Sequence, residues 1–150
     1  MVILLSQFLE NITKMKYKNL FSLKNKVSVI TGATGMLGKE FSIALAEYGS
    51  DLALIDIDKA SLDKMATSLS KKHGIKCKGY LCDVSHEKMV KQTVVEIEKD
   101  IGKIDILLNN AATKTDSLEE FFMPLEKYDL DTWKEIMDVN LNGMYIVAKE

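Results

Sequence analysis

Thr31-Gly32-Ala33-Thr34-Gly35-Met36-Leu37-Gly38 joins a short apolar run to a stretch of helical periodicity. Glycines in such a segment permit a tight turn and let backbone amides come close to a ligand. The N-terminus of the helix that follows favours negative charge, so the segment suits a pyrophosphate. A plain strand-to-helix connection uses the same residue types, and the position after a first strand and before a helix is what points to binding. Asp56 stands 18 residues beyond Gly38. A carboxylate there accepts hydrogen bonds from an adenosine ribose and repels a 2′-phosphate, which favours NAD over NADP. Its competing role is to cap the next helix, a task open also to Asp58 and Ser61.

Three further groups extend the set. Asp83-Val84 follows a third apolar run, with Asp83 placed either to contact an adenine or to share helix capping with Ser85. Asn109-Asn110-Ala111-Ala112 follows a fourth. Two amides after an apolar strand need partners and small neighbours leave room for a ligand, with a structural turn as the alternative. Asn140, projected at about 100° per residue, falls within the stripe of Trp133, Met137, Leu141 and Met144. Its amide must bond a neighbouring backbone, hold a water, or do both.

The elements that position these residues follow from periodicity. Val27 to Ile30, Leu52 to Ile55, Cys77 to Cys82 and Ile104 to Leu108 read as strands. Between them run helical stripes: Leu37, Phe41, Ala44, Leu45 and Tyr48; then Leu62, Met65, Ala66 and Leu69; then Val90, Val94, Ile97 and Ile101. After a longer loop comes a helix carrying Trp133, Ile136, Met137, Leu141, Met144 and Ala148. Apolar strands alternating with amphipathic helices predict a doubly wound parallel α/β sheet of Rossmann type in three layers, of which the first four strands and their helices are present. All the candidate residues then fall at one edge, beyond the carboxyl ends of the strands, where open α/β sheets bind ligands.

The chain has 150 residues, 47% of them hydrophobic, and a single Pro, enough for one domain with a core. A net charge of −2 gives no footprint for nucleic acid, and all twenty basic residues are Lys, so no guanidinium fork is available for phosphate. Cys77 and Cys82 stand at an odd spacing on one strand, so they point to opposite faces and cannot pair. They read as small buried hydrophobes in a reducing compartment, and no spacing suggests a metal site. Residues 1–22 form an N-terminal extension with an apolar run at Val2 to Leu5 and a basic run at Lys14, Lys16 and Lys18, with Met15 as an alternative start. The apolar run is too short for a signal peptide or a membrane span and the segment has no Arg for a presequence, which leaves the cytoplasm as the expected location and no membrane as partner.

Over Leu23 to Glu150 the chain resembles the short-chain dehydrogenase/reductase family. The likeness is carried by Thr31-Gly32 with Gly38, Asp56, Asp83-Val84, Asn109-Asn110-Ala111 and Val139-Asn140-Leu141-Asn142-Gly143. It implies a nicotinamide cofactor, hydride transfer at an alcohol or carbonyl carbon of a small molecule, a homo-oligomeric parent, and Asn140 as the active-site Asn that holds a water in a proton relay. Gly32, Thr34, Gly35, Met36, Leu37, Gly38, Asp56, Asp83, Val84, Asn109, Asn110 and Ala111 are then the cofactor contacts. Two features depart from the pattern: Met36 stands where the simple dehydrogenases place their middle glycine, and Ala112 replaces a glycine. Both are similar to the branch that modifies nucleotide sugars, so an epimerase or dehydratase parent is an alternative. The family's Ser, Tyr and Lys follow one strand later. Tyr145-Ile146-Val147-Ala148-Lys149 fits Tyr-x-x-x-Lys but lies on the Asn140 helix, about 140° round its axis from the Asn, and is read as a decoy. The expectation is an N-terminal piece of a longer enzyme, inactive alone, with a non-catalytic NAD-binding module as the competing reading.

Overall fold

Odd and even positions of the strands divide the apolar residues into two sets, and a sheet covered on both faces needs both. The computed structural model describes residues 20–150 apart from 116, without the side chains of Leu118 and Phe121. The expected extension over 1–22, the basic run and Met15 therefore lie almost wholly outside the described residues.

Strands β1 (Val27–Thr31), β2 (Asp51–Asp56), β3 (Cys77–Leu81) and β4 (Ile106–Leu108) form one parallel sheet in the order β3-β2-β1-β4. Helices α1 (Met36–Glu47), α2 (Lys59–His73) and α3 (Glu87–Asp100) connect them. Ile30, Leu52, Leu54, Leu62, Ala66 and Leu69 make one core, beneath α1 and α2. Val29, Ala53, Ile55, Tyr80, Val90, Ile97 and Val147 make the other, on the opposite face. Cys77 packs against the first core and Cys82 lies in the second, as their spacing requires. Burial pushes the Cys77 thiol up to about 12, so it stays protonated and unreactive at neutral pH.

Helix α1 departs from expectation. Its stripe of Leu37, Phe41 and Tyr48 is exposed, while Gly38, Ser42 and Ala46 face the sheet. The cause is close approach: a Cβ on Gly38 would lie 2.1 Å from the Gly32 carbonyl oxygen, so only a face of small residues can seat the helix against the turn. The Ser42 hydroxyl donates to the Gly38 carbonyl at 2.7 Å, so the buried hydroxyl is not left without a partner.

Helix α2 follows its stripe, with Leu62, Ala66 and Leu69 buried. Asp58 caps it, accepting from the Ser61 amide at 3.0 Å, and Gly74 ends it in the left-handed region at φ 68°. Helix α3 begins later than expected: its N-cap is His86, not Ser85, because Ser85 is drawn back onto Asp83.

After β4 come the single turn α4 (Leu118–Phe121), a 3₁₀ turn at Leu125–Lys127, and α5 (Leu130–Met137), capped by Asp129 through the Asp131 and Thr132 amides. The expected regular helix then gives way to a π-helical stretch, Asp138–Gly143, before α6 (Met144–Lys149). Such a stretch pairs i with i+5 and shifts every later side chain round the axis, so a regular projection does not hold through it. Trp133, Leu141 and Met144 are exposed, and the inward face is Val139, Asn140, Gly143, Ile146 and Val147.

Candidate functional site

The strand order reverses between β1 and β4, and there, beyond their carboxyl ends, lies a cleft of about 500 Å³. Gly32, Thr34, Gly35, Met36, Leu37, Asp56, Asp83, Val84, Asn110 and Ala111 line it. Of the residues singled out from sequence, Gly38, Asn109 and Asn140 are not among its lining side chains.

The turn is held by backbone bonds and by one carboxylate. The Ala33 amide donates to the Ile55 carbonyl at 3.1 Å, the Thr34 amide to the Asp56 carboxylate at 2.8 Å, and the Gly35 amide to the Gly32 carbonyl at 3.2 Å. Gly32 takes φ 62°, and a Cβ on it would lie 2.8 Å from the Ala111 Cα. No side chain caps α1 at Gly35, so the first helical amides at Met36, Leu37 and Gly38 are left without intrahelical acceptors at the cleft. That arrangement offers partial positive charge to an anion.

From the β4 side, Asn110 locks onto the turn. Its Nδ2 donates to the Thr31 and Gly32 carbonyls, each at 3.1 Å, and the Asn110 and Ala111 amides both donate to the Thr31 hydroxyl at 3.0 Å. Asp56 is free of helix capping, because Asp58 does that work. Asp83 has a structural task at the cleft: its Oδ1 accepts from the Ser85 amide at 2.9 Å and hydroxyl at 2.7 Å, and Oδ2 lies 3.2 Å from His86 Nδ1. Burial works to raise the Asp83 carboxyl, but the bonds from Ser85 outweigh it and hold the group below its ordinary value.

The far wall is built from side-chain amides. Asn140 makes a two-way clasp with Thr113: Oδ1 accepts from the Thr113 amide at 2.7 Å and Nδ2 donates to the Thr113 carbonyl at 2.9 Å. Neighbouring backbone is thus one of the partners its amide required, and each group keeps capacity for a second bond. Asn109 Nδ2 donates to the Met144 carbonyl at 3.0 Å, while its Oδ1 is buried and lacks a partner among the described residues. Gly143 brings the π stretch against Val84, where an added Cβ would meet Val84 Cγ2 at 2.8 Å.

Ala112, grouped with Asn110 and Ala111 from sequence, is on the cleft wall with Thr113, and sequence reasoning missed Ile55, Ile57, Cys82 and Val139 there. Each is a chain neighbour of a residue it did name, which is the signal that was available. Tyr145 is 68% exposed, Lys149 pairs with Glu87 of α3 at 2.5 Å, and neither lines the cleft.

The family described as short chain dehydrogenase matches residues 26–150. A sorbose reductase of Candida albicans is 40% identical over 131 residues, which are 87% of this chain and 44% of that protein. A probable NADP-dependent mannitol dehydrogenase of Yarrowia lipolytica is 39% identical, over 86% of this chain and 45% of its own length. The chain therefore spans a little under half the length of these relatives. Among solved structures, an NAD⁺-bound xylitol dehydrogenase superposes with a TM-score of 0.77 at 35% identity, over 85% of this chain and 46% of that one.

Proposed function

Because the chain belongs to the short-chain dehydrogenase family, we propose that it forms the cofactor-binding part of an NAD-dependent oxidoreductase acting on small polyhydroxylated alcohols and their carbonyl counterparts. The observation that carries this reading is the continuous cleft wall from the Gly-rich turn through Asp56 to Asn110 and Ala111. A nicotinamide dinucleotide fits the residues present: Gly32 and Gly38 leave no room for side chains between turn and neighbours, and the helical amides beyond Gly35 suit a diphosphate. Bound there, the nicotinamide supplies or accepts the hydride.

The chain's own residues bind and orient. The turn amides hold the diphosphate, Asp56 takes the adenosine ribose, and Asp83 and Val84 flank the adenine. Asn110 keeps β4 against the turn, and Asn140, with one N–H and one lone pair to spare, holds a water behind Thr113. Tyr145 and Lys149 take no part. The names of the sorbose, mannitol and xylitol enzymes support a polyol or keto-sugar substrate. Related proteins use either cofactor, and the choice of NAD rests on the Asp56 carboxylate, whose charge opposes a 2′-phosphate. Two unpaired cysteines on opposite faces of the sheet agree with a reducing cytoplasm, and the family likeness with a homo-oligomer. Among the described residues no helix is long and apolar enough to cross a membrane.

Calorimetric titration with NAD and with NADP tests the reading. NAD is expected to bind at least about tenfold tighter. Equal or reversed affinities would remove the NAD preference, and no binding of either would remove the cofactor site.

A further inference from the structure

We propose that Asp56 is also a positioning residue for the phosphate turn: by holding the Thr34 amide, its carboxylate makes the shape of the phosphate cradle and the grip on the adenosine ribose depend on one side chain. The inference rests on the cofactor reading above and deepens it.

The argument is an account of acceptor sites. Asp56 Oδ1 takes the Ile57 amide at 2.7 Å and the Asp58 amide at 3.3 Å, and Oδ2 takes the Thr34 amide at 2.8 Å. An ionised carboxylate offers about four such sites, so about one is left, and it lies on Oδ2. A ribose hydroxyl arriving at Asp56 must therefore join the Thr34 amide on the same oxygen. A grip using both carboxylate oxygens would displace an existing backbone bond.

The bonds are not equivalent. Those to Ile57 and Asp58 are exposed, where water replaces the carboxylate at little cost. The bond to Thr34 is partly buried and spans 22 residues, joining the turn to the end of β2. Beyond the β1–β2 ladder, one further bond among the described residues ties the turn to that strand, from the Ala33 amide to the Ile55 carbonyl, while the Gly35 bond closes on Gly32 within the turn itself. Asn110 holds the start of the turn at Thr31 and Gly32, and loss of the carboxylate removes the one side-chain bond at Thr34, immediately before the helical amides that face the cleft.

Electrostatics alone predicts the opposite sign. Removing a carboxylate beside an anion site lowers repulsion and tightens a bound phosphate. The two roles of Asp56 can be separated on a ligand that has phosphates and no ribose.

The test is titration of the full chain, and of Asp56→Ala and Asp56→Asn, with inorganic pyrophosphate, with amide hydrogen exchange at Thr34 followed by NMR. Asp56→Ala is expected to weaken pyrophosphate about tenfold and to accelerate Thr34 exchange by a similar factor. Asp56→Asn, whose Oδ1 can still accept from Thr34, is expected to stay within about threefold of wild type on both readouts. Should Asp56→Ala not fold, Asp56→Ser, with a hydroxyl on a shorter side chain, takes its place. Unchanged or tighter pyrophosphate binding in the truncated variant, or unchanged Thr34 exchange, overturns the proposal. Failure of the cofactor reading looks different: wild type then binds neither pyrophosphate nor NAD, while Thr34 exchange still responds to Asp56.

Discussion

On the β2 side of the cleft, backbone meets backbone: Ala33 on Ile55, Gly35 on Gly32, and a helix seated so close that Gly38 admits no Cβ. On the far side, the wall hangs from two asparagines, Asn140 on Thr113 and Asn109 on Met144, and the large apolar residues around it stand in solvent. Leu125, Leu130 and Leu141 are more than 60% exposed, whereas Ile30, Leu52, Leu54 and Leu62 on the other side have no exposure at all. The difference shows which half of the site carries its own stability. The turn side takes its shape from a packed core, and the far wall combines the two asparagine clasps with the packing of Gly143 and Val147 against the second core, while its outward apolar residues are exposed.

The largest test of that contrast is Gly38→Val. A branched side chain at the Gly32 carbonyl must push α1 off the turn, so stability should fall by about 3 kcal/mol in urea unfolding and ADP binding should disappear. A variant that folds and binds normally would mean the seating of α1 does not shape the cradle. Next comes Asn140→Ala. Thr113 is exposed, water can satisfy its freed groups, and the cost should be about 1 kcal/mol, with faster exchange of the Thr113 amide and unaltered ADP affinity. An equal loss of ADP binding would show that the two walls are coupled. The smallest effect is at Asp83, at the end of β3, where a charge holds Ser85 and His86 beside the cleft. Its folded carboxyl is depressed below 3.8, so its contribution to stability is present above that pH and is lost as pH falls through the lower folded value. A carboxyl ¹³C titration should place its midpoint below 3.8, and a midpoint at or above it would mean that the Ser85 bonds do not persist in solution.

The same division governs how far the sequence could be read. Strands β1 to β3, helix α2, the turn and the separation of the two cysteines were legible because each follows from one local rule: alternation, helical spacing, or the need for glycine. Helix α1 was misread because its large residues suggested the buried face. The spacing Gly38, Ser42, Ala46 was present in the sequence, but its meaning depends on the distance to Gly32, a tertiary fact. Asn140 was placed inward correctly, yet on the wrong stripe, because the projection assumed regular turns through Asp138–Gly143. Ser85 was taken for a cap because the sequence does not show Asp83 competing for it. Asp56 is legible as a candidate ribose contact and its hold on Thr34 is not, since nothing local links residues 22 apart.

In screw terms the π stretch is a phase slip of one residue. Each residue of a regular helix advances the azimuth by about 100°, so one extra residue in the turn sets the angle at which α6 meets the sheet. Val147 enters the core and Gly143 touches Val84 only with that slip in place. Residues 138–143 therefore have a fixed length even where their side chains are free to vary. A single deletion there would leave the composition almost unchanged, turn Val147 away from the core and carry Asn140 off Thr113.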